Sequence, residues 1–155
     1  MHDLEAMPGH LIRRYQQIAV AIFHAEITAA GYDLTPVQFA ALARIADNPG
    51  IDQATLAGLI AYDRTTIGGV VDRLLQKKLI MRKVSQTDRR ARTLTITRAG
   101  LELLEAVGTA VASAQRRMVA ALDEAESREL LRLLRKVTDA GNELSRAPLR
   151  PRAIE

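Results

Sequence analysis

IDQATLAGLIAYDRTTIGGVVDRLLQKKLIMRKVSQTDRRARTLTITRAG, residues 51–100, decides the fold. Asp52 is placed to cap a short third helix over residues 53–60. Only Ala61 and Tyr62 separate that helix from Asp63, which is placed to cap a fourth reaching about Lys77. Two short helices with so tight a joint are a helix-turn-helix signature. The period then changes. Residues 80–84 and 93–97 read as short strands, because Leu94 and Ile96 alternate with threonines. The polar, basic SQTDRRAR between them, residues 85–92, reads as a hairpin loop. A helix-turn-helix followed directly by a hairpin is a winged helix, mainly α with a small β-hairpin wing. In that arrangement the second helix of the pair enters the major groove of DNA. The hairpin tip reaches a neighbouring minor groove or the phosphates.

Outward from this stretch the pattern is helical. Thr35-Pro36-Val37-Gln38 combines an N-cap, a proline at the first helical position and a capping-box glutamine. The second helix that it opens runs through Ala46 and stops at Asp47-Asn48-Pro49-Gly50. Upstream, residues 10–29 carry the stripe Leu11, Tyr15, Ile18, Ile22 and then Ala25 or Ala29, with Pro8 at the entry and Gly31 at the exit. Downstream, Thr97 is placed to cap a long fifth helix with the stripe Leu101, Leu104, Gly108, Val111, Met118 and Leu122. Asp123 and Glu126 form a second capping box. The sixth helix that follows carries Leu130, Leu134, Val137, Gly141 and Leu144 at alternating steps of four and three, a seam suited to a partner helix. The expected layout is one domain over 1–155. Within it lie a winged lobe at 35–97, terminal helical arms at 8–31 and 98–145, and a disordered tail at 147–155.

Composition narrows the function. The 155 residues are 48% apolar and 26% charged, an ordinary globular mix. There is no cysteine, which excludes disulfides, thiolate metal sites and thiol redox sensing. No secretory signal and no apolar run of about 20 residues occurs, so no membrane partner and a cytoplasmic location are expected. No aromatic follows residue 62, so the core is aliphatic. The net charge of +4 hides its distribution. From Asp63 to Arg98 ten basic residues stand against three acids, +7, and the rest of the chain carries −3. A basic segment within a mildly acidic chain is an electrostatic footprint for a polyanion, and here it falls on the recognition helix and wing.

From Tyr62 onward the residues resemble the MarR family of bacterial transcription regulators. The VDRL at residues 71–74, the DRR at 88–90 and the closing LTITRAG carry the resemblance, and LTPVQFAAL at 34–42 is similar to the family's second helix. The resemblance implies a homodimer joined by its N- and C-terminal helices and a palindromic operator in double-stranded DNA. It often implies a small aromatic effector. Within the family the chain most resembles repressors of nicotinate degradation, which makes 6-hydroxynicotinate the first aromatic carboxylate to consider. There are two departures. Gly68 and Gly69 stand where the family usually has a threonine and then an arginine, and Lys78 stands where a glycine often ends the helix. Each glycine costs a helix interior about 1 kcal/mol. Close approach to DNA and close packing on the third helix both account for the pair.

The candidate DNA-binding residues are Arg64, Thr65, Thr66, Gly69, Arg73, Arg89, Arg90 and Arg92. Thr65 and Thr66 fall in the first turn of the recognition helix, where side chains and amides face the groove. Arg90 falls at the wing tip, where a guanidinium suits a narrow minor groove. Asp88 reads as the partner that orients Arg90 or Arg92. Lys77, Lys78, Arg82 and Lys83 are expected to include phosphate contacts. The candidate effector residues are His10, Arg14, Tyr15, Phe39 and Ala43, because an aromatic acid needs a charged donor for its carboxylate and an apolar slot for its ring. A metal site is not expected. His2, His10 and His24 are the chain's histidines, and the last two stand about 21 Å apart on one helix. No cofactor and no catalysis are expected, since the chain lacks GxSxG, P-loop and GxGxxG patterns. The competing class is a winged-helix module for proteins or for nucleic acid without sequence preference. It would tolerate loss of Arg90.

Overall fold

Capping chemistry sets the boundaries of the helices. In the computed structural model, which describes residues 3–151, α1 spans Pro8–Ala29 and α2 spans Pro36–Asp47. The strand β1, Ile51–Asp52, leads into α3, Gln53–Leu59, and α4 covers Ile67–Gln76. β2, Ile80–Val84, and β3, Arg92–Ile96, form the wing; α5 spans Arg98–Met118 and α6 Glu124–Ala140. Both capping boxes form. Thr35 Oγ1 accepts from the Gln38 amide at 3.2 Å, and Asp123 Oδ1 from the Glu126 amide at 2.9 Å. Asp52 accepts from the Thr55 amide at 2.8 Å and Thr97 from that of Gly100 at 3.1 Å. Gly31 and Gly50 take φ of +86° and +80°, where a side chain would be strained. Lys78 takes φ +58° without being glycine. The amides of Lys78 and Leu79 donate to the carbonyls of Leu75 and Leu74, a left-handed helix end that glycine usually supplies.

The sheet runs β1-β3-β2, antiparallel throughout, with Ile80 opposite Ile96 and Arg82 opposite Leu94 in the wing. β1 pairs Ile51 with Leu94. Two residues are too few to show a period, so sequence reading passes β1 over. Leu42, Ile45, Leu56, Ile67, Val71, Leu74 and Leu94 fill the core of the winged lobe. A second core joins the arms to the lobe: Phe23 and Ile27 of α1, Leu34, and Val107 and Ala114 of α5. Phe23 meets Phe39 of α2 at 6.1 Å between ring centres, tilted by 54°.

Several expectations are corrected. The turn over residues 64–66 precedes α4, whose N-cap is Thr66 rather than Asp63. The stripes of α1 and α5 are only partly covered by the chain itself. Leu11, Ile18 and Leu101 are exposed, while Phe23, Ile27, Val107 and Ala114 are buried. Ile22, Leu104, Val111 and Met118 of the expected stripes are partly buried against the two cores, so each stripe is shared between the chain's own core and open surface. Within the expected disordered tail, the Leu149 amide donates to Asn142 Oδ1 at 2.8 Å and the Arg150 amide to the Gly58 carbonyl at 2.8 Å. Residues 152–155 of that tail, and His2, lie outside the described residues. Among the described residues no helix is long and apolar enough to cross a membrane.

α5 begins against the end of the helix-turn-helix. A Cβ at Gly100 would stand 2.3 Å from the Leu79 carbonyl oxygen and 2.7 Å from Ile96 Cγ1. Gly100→Ala is expected to destabilise the protein by about 1–3 kcal/mol through overpacking, despite alanine's higher helix propensity. Chemical denaturation of parent and variant checks this, and an unchanged midpoint contradicts the contact.

Candidate nucleic-acid interface and effector cavity

Asp63 organises the turn that precedes α4. Its Oδ1 accepts from both the amide and the hydroxyl of Thr65, each at 2.8 Å, and its backbone carbonyl accepts from the Ile67 amide at 2.9 Å. The Thr66 hydroxyl also donates to that carbonyl, at 3.2 Å. The Thr65 amide and hydroxyl, more than any other partners, hold the Asp63 carboxyl below the usual carboxylate range. Both threonine hydroxyls therefore spend their proton on the turn and offer an incoming group only their lone pairs. Arg64, Thr65 and Thr66 are exposed.

The glycines of α4 are not packing devices. A Cβ on Gly69 meets nothing within 4 Å, and one on Gly68 meets only Gln53 Nε2 at an ordinary 3.6 Å. Close packing on α3 therefore does not require them, and Gly69 lies on the open face. Arg73 is exposed on α4 and forms no ion pair among the described residues. Lys77 is committed elsewhere: its Nζ donates to the Asp33 carbonyl at 2.5 Å and pairs with the Asp33 carboxylate at 3.1 Å. Arg82 pairs with Asp72 at 3.3 Å.

In the wing, Asp88 holds backbone rather than guanidinium. Its Oδ1 accepts from the Arg90 amide at 2.9 Å, and its own amide donates to Ser85 Oγ at 3.3 Å. This closes the loop and leaves the Arg90 side chain without an ion-pair partner among the described residues. Arg92 donates to the Arg89 carbonyl at 3.1 Å. Between wing and turn lies a cleft of about 560 Å³ lined by Arg64, Arg90 and Arg92, with Ile67 and Gln53 on its floor. Asp52 and Asp88 also border it. Partial burial pushes the Asp52 carboxyl up, but its bonds from the Thr55 hydroxyl and nearby amides outweigh this and leave it below the usual range. The cleft thus presents arginines from two elements, with its carboxylates engaged in caps and turns.

A smaller cavity, about 160 Å³, opens where α1, α2 and α5 meet. Gln16, Phe23, Phe39, Gln115 and Met118 line it together with Ala19, Val20 and Pro36. Of the candidate effector residues, Phe39 lines this space. Tyr15 stands beside it, its hydroxyl donating to the Met118 carbonyl at 3.2 Å. His10, Arg14 and Ala43 are not in its wall. Arg14 pairs with Glu5 at 3.1 Å, and His10 lies 3.4 Å from Arg13 on the exposed face. Sequence reading missed the two glutamines. A polar residue one step past Tyr15 and one step past the buried Ala114 were the available signals.

The family model for the MarR family matches residues 34–91. The HTH-type transcriptional repressor NicR of Pseudomonas putida is 32% identical over 139 residues, 90% of this chain and 87% of its own. Among solved structures, the PcaV regulator of Streptomyces coelicolor with its natural ligand superposes with a TM-score of 0.83 at 31% identity, covering 91% of this chain and 98% of that one. Bordetella bronchiseptica BpsR, whose DNA binding is regulated by 6-hydroxynicotinic acid, superposes at 0.82 with 30% identity over 90% and 98%. With the wing, the helix-turn-helix and the terminal arms all in place, the chain belongs to the MarR family of winged-helix, DNA-binding transcription regulators.

Proposed function

We propose that the chain is a repressor that binds a palindromic operator as a homodimer and is released by a small aromatic carboxylate, with 6-hydroxynicotinate the first to try. The observation that carries the DNA half is the cleft that Arg64 of the turn lines together with Arg90 and Arg92 of the wing. Guanidinium groups from two elements match the repeated charge of a phosphate backbone. The lone pairs of Thr65 and Thr66, and the bare strip at Gly69, are assigned to base edges. Arg73 and Arg89 are assigned to phosphates. Residues 35–97 form the reading lobe and 8–31 with 98–145 the arms, within a protein of the cytoplasm.

The exposed apolar residues support the homodimer. α6 spans 17 residues and buries none of them, and Val137 is 57% exposed. Leu11, Ile12 and Ile18 are exposed on α1. Apolar surface of this extent marks an association site, and the seam of α6 fits a second copy of the same helices. BpsR and NicR support the effector class. The cavity at the α1–α2–α5 junction suits a single ring: it is smaller than the 300–1,000 Å³ of a drug-sized pocket. The ring is assigned to Phe39, beside Tyr15. The carboxylate is assigned to Arg14 or His10, which stand outside the wall and must swing toward it; for this Arg14 exchanges its exposed pairing with Glu5, a pairing of little worth in water. Filling this space moves α2, and the lobe with it, relative to the arms.

Arg90→Ala is expected to weaken binding to an operator, selected from random duplexes, without lowering the unfolding temperature. Equal affinity rejects the wing-tip role and favours a module that contacts proteins or DNA without sequence preference. Calorimetric titration of 6-hydroxynicotinate should give a binding isotherm, and operator affinity should fall about 5- to 150-fold at saturation. Binding unaffected by operator removes the switch, and full binding by the His10→Ala, Arg14→Ala double variant moves the carboxylate site. Light scattering should give about twice 17.0 kDa. Leu134→Glu should shift this toward a monomer, because it puts a charge on the surface the partner covers.

A further inference from the structure

The chain does not run free beyond α6. It turns through Asn142–Leu144 and closes on itself: Asn142 Nδ2 donates to the Leu149 carbonyl at 3.1 Å, and Asn142 Oδ1 accepts the Leu149 amide at 2.8 Å. The Arg150 guanidinium holds both oxygens of Glu143, at 2.5 and 2.9 Å. This closed segment meets the winged lobe at two points. The Arg150 amide donates to the Gly58 carbonyl, one of the last carbonyls of α3, at 2.8 Å. The Arg146 guanidinium pairs with Asp63 Oδ2 at 2.6 Å. The approach at Gly58 depends on the glycine, since a Cβ there would stand 2.9 Å from Arg150 Cβ.

The two oxygens of Asp63 thus have separate duties. Oδ1 shapes the turn through Thr65, and Oδ2 receives Arg146 from a segment more than eighty residues away. We propose that residues 142–150 position the DNA-reading turn from outside the lobe, and that Arg146 is the positioning residue that orients and neutralises the Asp63 carboxylate. The proposal rests on the reading of turn and wing as the DNA interface. An uncompensated carboxylate beside Arg64 repels phosphates and is free to rotate away from Thr65. Arg146 closes both possibilities. Because its side chain is 85% exposed, the pair adds little to folding. Its loss therefore appears in DNA affinity and not in the unfolding temperature.

The test uses full-length protein and a duplex selected by the parent from a random pool, with affinity measured over a range of salt. Arg146→Ala should weaken binding roughly 2- to 30-fold at unchanged unfolding temperature, and Arg146→Lys should recover most of the loss. In an Asp63→Asn background the Arg146→Ala change should have no further effect. A loss that persists in that background, with the salt slope reduced by about one, means a direct phosphate contact and overturns the proposal. Gly58→Leu, which evicts Arg150 without touching Arg146 or Asp63, should reproduce the defect. Parent-like affinity of both Gly58→Leu and Arg146→Ala, with Arg90→Ala defective, overturns the positioning role and leaves the interface standing. Parent-like affinity of Arg90→Ala removes the interface reading and this proposal with it.

Discussion

Two elements of the winged lobe and the arm helix α5 converge on one residue, Thr97. Its amide donates to the Leu79 carbonyl at 3.0 Å, and its hydroxyl donates to the Lys78 carbonyl at 2.8 Å while accepting the Gly100 amide at 3.1 Å. The end of α4, the end of β3 and the start of α5 are therefore fixed by a single side chain and its backbone. Nothing larger than glycine fits at position 100, because the Leu79 carbonyl already occupies the space. The angle between recognition helix and wing follows from this junction, and so does the direction in which α5 leaves the lobe.

α5 then serves both cores. Leu103 packs against the core of the winged lobe and against that of the arms. Further along, Val107 and Ala114 are buried with Phe23 and Ile27 of α1, and Arg117 pairs with Glu26 at 2.5 Å. A displacement at the α1–α2–α5 junction reaches the lobe through a packed side-chain path rather than through a loop. Close-packed interiors transmit strain in this way. The cavity beside Phe39 sits where α2, a lobe helix, meets both arms, at the joint between the two bodies.

The sequence speaks most clearly where a local rule decides the outcome. Caps at Thr35, Asp52, Thr97 and Asp123 each need only a side chain and an amide three residues on, and all four form. The wing was legible because Leu94 and Ile96 alternate with threonines. Long-range partnerships were not legible. Which apolar residues of α1 and α5 the chain itself covers depends on neighbours far along the sequence, and Leu11, Ile18 and Leu101 remain outside. Lys77 looks like a phosphate ligand until Asp33, forty-four residues away, is found beside it. The tail carries two prolines and polar residues, a composition of disorder, yet Asn142 and Gly58 give its backbone partners. Gln16 and Gln115 mean nothing separately and acquire a role only when α1 and α5 lie side by side.

Gly69 has a consequence for how such a regulator changes over generations. A Cβ there meets nothing within 4 Å, so the first atom of a side chain costs the fold no contact. Most residue types would also strengthen the helix, by up to about 1 kcal/mol relative to glycine. On the proposed reading of α4 as the helix that meets base edges, position 69 is a place where the preferred DNA sequence would drift at little cost in stability. A single base change in the codon is enough to add a new group on this open face of α4. On that reading, a lineage of regulators would diversify its targets there first.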